Sequence, residues 1–164
     1  MTIFIKNKYT LKIDEFEFRC CIGEKGSTSN KKEGDKKTPK GKYKIHNLYF
    51  RKDRIKKPVT SLNCIEIKKN MGWCNDIRFP KQYNKLIKID KKIGHERLKR
   101  NDTKYDLIIP IQYNFKNPII GRGSCIFIHL TKNYKPTAGC IALRKKDFLI
   151  LLKLISKKTK IKII

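Results

Sequence analysis

SCIFIHLTKNYKPTAGCIALRKKD, residues Ser124 to Asp147, decides how this chain is to be read. Its opening run, Cys125-Ile126-Phe127-Ile128, is apolar and of strand length, and it delivers His129, one of three histidines, to its end. A polar loop with Pro136 follows and enters Thr137-Ala138-Gly139-Cys140; Ile141, Ala142 and Leu143 are apolar again before a helix starts. His129 and Cys140 are eleven residues apart, so a strand-loop-strand turn can bring the imidazole against the sulfur. A thiol is a useful nucleophile only as thiolate, and a neighbouring imidazole or a helix N-terminus lowers its pKa from about 8.5 towards neutrality. Gly139 permits close backbone approach, and adjacent amides can face an oxyanion. Thr137 can orient the site or hydrogen-bond the Gly139 region; a plain turn residue would look the same.

Upstream of this stretch, Arg122 stands between Gly121 and Gly123. Its planar, permanently charged guanidinium suits a peptide carboxylate, or else an ion pair with Asp76 or Glu96. Asp106 to Asn114 alternates as a central strand does, ahead of a turn at Asn117-Pro118. The only tryptophan, Trp73, lies in Gly72-Trp73-Cys74-Asn75-Asp76 with Arg78 close by. Trp73 and Asp76 are candidates for a substrate wall, against a buried indole whose N–H meets Asp76. His95, in His95-Glu96-Arg97-Leu98, either orders a loop or touches substrate.

At the N-terminus, Ile3-Phe4-Ile5 and then Phe16, Phe18, Cys20 and Ile22 predict a hairpin turning near Asn7-Lys8 or Asp14-Glu15. Residues 23–41 read as a long polar loop, functional or mobile, with Thr38-Pro39-Lys40-Gly41 turning into a strand over 42–50. Another strand is expected over 62–67. Near the C-terminus, Phe148, Leu151, Leu152 and Ile155 recur at helical spacing, and residues 161–164 read as a closing strand.

With 164 residues the chain suits one domain, residues 1–164, and its 39% hydrophobic and 34% charged composition predicts a thin core under a charged surface. The formal charge of +27 attracts polyanions: nucleic acid, anionic lipid or an acidic wall polymer. The lysines, however, run from Lys6 to Lys162 without forming a nucleic-acid-binding signature, as a genome biased towards Lys, Ile and Asn codons would produce. The six cysteines include an adjacent pair, Cys20-Cys21, and no Cys-x-x-Cys, so they read as mostly free thiols suited to a reducing compartment. No metal site is expected: His95 lacks a His-Glu-x-x-His pattern, and a set of His95, His46 and Cys74 is poor. No cofactor is expected. MTIFIKNKYT lacks the apolar core of a signal peptide, and no run approaches the ~20 residues that span a bilayer.

The pattern of His129, a loop, and Thr137-x-Gly139-Cys140 resembles the signature of the L,D-transpeptidase (YkuD-type) catalytic domain. Residues 33–43 (EGDKKTPKGKY), 72–76 (GWCND), 95–98 (HERL), 105–114 (YDLIIPIQYN) and 121–129 (GRGSCIFIH) resemble, in order, blocks of one bacterial branch of that family. The resemblance spans roughly residues 18–154. It implies a mainly β, sandwich- or barrel-like single domain with one or two helices. It implies a peptidoglycan cross-linking enzyme acting in wall organisation and cell shape. Cys140 would be the nucleophile, His129 the general base and acid, Gly139 and Thr137 oxyanion or positioning groups, and Arg122, Trp73, Asp76 and His95 substrate contacts. Two departures stand out: the motif usually has His where this chain has Ala138, and Arg or Asn where it has Ala142. The family works in the cell envelope, which conflicts with the missing signal peptide, so a cytoplasmic location stays open. A monomer is expected. Two other readings fit the sequence: a carboxypeptidase or endopeptidase using the same Cys and His, and a basic, non-catalytic nucleic-acid- or wall-binding module.

Overall fold

The computed structural model describes residues 1–164. Alternating apolar residues at the N-terminus build not one hairpin but a three-strand meander, β1 (Thr2–Ile5), β2 (Thr10–Ile13) and β3 (Phe16–Cys21), because both expected turns form. Asp14 makes the second with φ +47°, a conformation that Asp tolerates. The polar segment that follows carries two short strands, β4 (Ser27–Thr28) and β5 (Thr38–Pro39), paired in parallel.

The strand expected over 42–50 is divided into β6 (Gly41–Lys44) and β7 (Leu48–Phe50), since its halves pair with opposite ends of the sheet. β8 (Cys64–Glu66) adds to β7. β9 (Met71–Cys74), β10 (Leu86–Lys88) and β11 (His95–Arg97) form a separate small sheet with β9 at its centre. The last two of these gave no readable alternation in the sequence.

β12 (Leu107–Pro110), β13 (Phe127–Leu130) and β14 (Ile141–Leu143) complete the middle of the main sheet, and β15 (Lys160–Ile163) returns to lie parallel to β1. The order is β6-β15-β1-β2-β3-β14-β13-β12-β7-β8. A bridge between Ile45 and Ile111, flanked by His46 N–H donating to the Pro110 carbonyl, ties the chain after β6 to the chain after β12. The sheet therefore curls back on itself into a half-barrel, the mainly β form expected.

One helix, α1 (Lys145–Leu154), follows β14. Phe148, Leu151 and Leu152 are buried from it, and each such side chain contributes about 1.5–3 kcal/mol. They join the interior with Ile3, Leu11, Ile128 and Ile141. A smaller apolar cluster, built on Trp73, Tyr105, Phe127, Cys125 and Cys140, lies on the side where the functional residues emerge. No helix is long and apolar enough to cross a membrane, and all six thiols are free.

Candidate active site

β13 and β14 run in parallel with His129 opposite Ala142 and Ile128 opposite Ile141. Side chains alternate along a strand, so Ala142 and Cys140 share a face, and that face is also the imidazole's. Both Cys140 and His129 line one cavity of about 740 Å³. The remainder of its wall includes Lys31, Glu33 and Gly34 from the loop between β4 and β5, Glu96 from β11, and Arg100 to Tyr105.

The expected contact between imidazole and thiol is replaced in the resting site by two separate hydrogen-bond sets. Cys140 donates its S–H to the Cys125 carbonyl at 3.1 Å and accepts the Phe127 N–H at 3.4 Å. His129 Nδ1 donates to the Leu130 carbonyl at 2.9 Å, which fixes the tautomer and leaves Nε2 with its lone pair. The pair sits diagonally across the two strands, because Ala142 and not Cys140 is the residue facing His129.

Burial also sets the charge states. It pushes the Cys140 thiol up to about 12, aided by the Glu96 carboxylate and opposed by the Phe127 N–H and by Lys31. Burial lowers His129 to about 4, with Lys104 and Arg100 adding to it and the Leu130 hydrogen bond opposing. The resting site is thus a neutral thiol beside a neutral imidazole, not the lowered thiol that the sequence suggested. No helix N-terminus offsets this, since the thiol precedes a strand.

The turn that presents the thiol is tightly held. Thr137 Oγ1 donates to the Cys140 carbonyl at 2.6 Å and accepts the Gly139 N–H at 3.1 Å. Gly139 has φ +144°, and a Cβ there would lie 2.9 Å from the Lys37 carbonyl oxygen, so only glycine fits without strain. Thr38, fully buried, donates from Oγ1 to the Gly139 carbonyl at 2.8 Å and accepts the Gly23 N–H at 2.9 Å. The Cys140 amide has no acceptor within the chain and is free to face an oxyanion.

Four other candidates lie outside the cavity. Trp73 is only 2% exposed and donates its indole N–H to Asn84 Oδ1 at 3.0 Å, not to Asp76; it is core, not a substrate wall. Asp76 accepts from Arg78 and from the Gly94 N–H, which hold its carboxyl well below the usual range and make it a loop-ordering group. His95 pairs its Nδ1 with the Ile93 carbonyl and packs over Gly72; strand alternation sends its neighbour Glu96 to the cavity instead. Arg122 is exposed and reaches Asn30 Oδ1 at 3.3 Å, with neither Asp76 nor Glu96 as partner.

Sequence reasoning missed Lys31, Glu33, Glu96, Tyr105 and Thr38. Lys31 is buried and paired with Asp35 at 2.6 Å. Glu33 accepts the hydroxyls of Tyr83 and Ser124. Tyr105 sets its ring edge against His129, centroids 5.4 Å apart, and donates to Glu96. Glu33, Thr38, Glu96 and Tyr105 lie in segments that resemble the family, and Glu96 is the second residue of the HERL block. Nothing local told which residue of each block faces the thiol.

Neither a curated protein nor a solved structure matches the chain. The family description "YkuD: L,D-transpeptidase catalytic domain" matches residues 2–163. Its span takes in every strand and the helix, including the β13-loop-β14 unit that carries His129 and Cys140. The chain belongs to the YkuD family of L,D-transpeptidase catalytic domains.

Proposed function

We propose that the chain, acting as one catalytic domain over residues 1–164, cross-links peptidoglycan by transferring an acyl group from one stem peptide through a Cys140 thioester to an amine of a second. The observation that carries this reading is that Cys140, immediately ahead of β14, and His129, on the parallel neighbour β13, open into one cavity. The family match supports the substrate class and the use of a cysteine. It also supports work in the cell envelope.

With the thiol near 12 and the imidazole near 4, a resting ion pair is strongly disfavoured. Proton transfer therefore accompanies attack: rotation about the Cys140 Cα–Cβ bond turns Sγ from the Cys125 carbonyl to His129 Nε2, which takes the proton as sulfur bonds to the peptide carbonyl carbon. The Cys140 amide donates to the oxygen as it gains charge. Collapse breaks the C–N bond, and the imidazolium protonates the departing amine of the terminal D-amino acid. The acceptor amine then adds to the thioester, His129 takes its proton, the C–S bond breaks, and that proton returns to sulfur. Thr137 and Gly139 act as positioning groups by fixing the turn. Water in place of the amine gives a hydrolase.

A carbapenem tests the nucleophile: one covalent adduct is expected on wild type, mapped to Cys140, and none on Cys140→Ala. An adduct on another cysteine, or none at all, overturns the mechanism. Incubation with muropeptides then reads the acceptor, with the mass of an amide-linked dimer expected and that of a trimmed peptide alone assigning the hydrolase.

A further inference from the structure

The cavity wall beside His129 carries a carboxylate with no part in the chemistry above. Glu96 enters from β11, and its side chain is 29% exposed. Tyr105 donates its hydroxyl to Glu96 Oε1 at 2.5 Å. Arg100 Nη1 stands 3.7 Å from the same oxygen, but that guanidinium is already committed to Asp102 through Nε at 3.0 Å and Nη2 at 2.6 Å. Oε2 of Glu96 has no hydrogen-bond partner in the chain.

Two other acids line the cavity, and both are engaged differently. Asp102 has both oxygens on Arg100 and also accepts the Lys104 N–H. Glu33, on the loop between β4 and β5, accepts two hydroxyls on one oxygen. Glu96 is tied to the imidazole side by its hydrogen bond from Tyr105, whose ring packs against His129, while Asp102 acts on the imidazole through its charge alone. Its charge also reaches the nucleophile, being the largest influence after burial on the Cys140 thiol.

We propose that Glu96, held by Tyr105, docks the ammonium group of the acceptor, a peptide bearing a primary amine, and so favours amine over water as the second substrate. The site rests on the acyl-transfer reading above. A chain of net charge +27 repels a cationic acceptor from its surface at large, and Lys31, Arg100, Lys104, Lys132 and Lys135 line the cavity as well, so a carboxylate with a free oxygen gives the acceptor one local place to dock near the thioester. The docked ammonium sheds one proton to solvent, and its nitrogen bonds to the thioester carbon as the C–S bond breaks. His129 takes the second proton and passes it to sulfur.

The experiment compares wild type with Glu96→Gln, which keeps the shape and the acceptor for Tyr105 but removes the charge. A tetrapeptide donor is supplied with either Nα-acetyl-lysine amide, a cationic acceptor, or hydroxylamine, which is uncharged near neutral pH. The variant is expected to raise KM for acetyl-lysine amide by about tenfold relative to hydroxylamine and to divert thioester to hydrolysis. Reading the two nucleophiles as a ratio cancels any general change in thioester formation. Tyr105→Phe, which releases Oε1 while keeping the ring, is expected to shift the same ratio by a smaller amount. An unchanged ratio in Glu96→Gln, with normal acylation of Cys140, overturns this site alone. A wild type that never acylates Cys140 overturns the acyl-transfer reading and the site with it.

Discussion

His129 and Ala142 face each other in register across the parallel pair β13–β14. That pairing places the thiol of Cys140 on the imidazole's face, one alternation along, with a single methyl group between the two strands' functional ends. Ala142 lines the same cavity as the imidazole and fills little of it. Ala142→Leu is expected to crowd the imidazole out of reach of sulfur. The rate of carbapenem acylation should fall by about tenfold or more, with an overpacking cost of about 1–3 kcal/mol in unfolding free energy. Wild-type acylation with leucine at 142 would mean that the size of this side chain does not govern the imidazole's reach.

The resting thiol is pushed up to about 12 by burial. Alkylation of Cys140 by iodoacetamide without substrate is therefore expected to be slow at neutral pH and to climb steadily through the alkaline range, since only the thiolate reacts. Peptide mapping across a pH series gives the profile for this one cysteine. A plateau near neutral pH would mean that a preformed thiolate exists.

His129 is lowered to about 4 from an ordinary 6.5. Below 6.5 the unfolded chain takes up the proton while the folded chain does not, so stability is complete above 6.5 and is lost as pH falls towards 4. The full gap is worth roughly 3 kcal/mol. His46, also lowered by burial, acts with the same sign. Chemical denaturation at pH 7 and pH 4.5 should show a smaller loss in His129→Gln than in wild type. Equal losses in the two proteins would place the imidazole in water.

Thr38 is fully buried and joins β5 to the nucleophile's turn through the Gly139 carbonyl. Thr38→Val keeps the volume and leaves the Gly139 carbonyl and the Gly23 N–H without partners. About 2 kcal/mol of stability should be lost, together with faster hydrogen exchange at residues 137–140. Unaltered exchange there would confine Thr38 to its own turn.

The legible parts of the chain were those whose signal is local. The apolar run ending at His129 and the helix face of Phe148, Leu151 and Leu152 each need only their own residues, and the Thr-x-Gly-Cys turn declares itself by residue type; of the alternating strand expected over 106–114, only Leu107–Pro110 forms, buried at every residue. The unread parts depended on partners far along the chain. Thr38 looked like a turn residue because its acceptor, Gly139, is 101 positions away. Residues 42–50 read as one strand because nothing in them tells that β6 and β7 pair at opposite ends of the sheet.

By itself, the sequence determined the residue types of a thiol-imidazole site, the turn that carries the thiol, and a mainly β chain. Tertiary structure alone decided which neighbours face them. It put Glu96 in the cavity and His95 behind it, because a strand's period of two assigns faces only once its pairing is known. It also made thiol and imidazole neutral, because burial, which moves both pKa values, is a property of the folded chain and not of any segment in it.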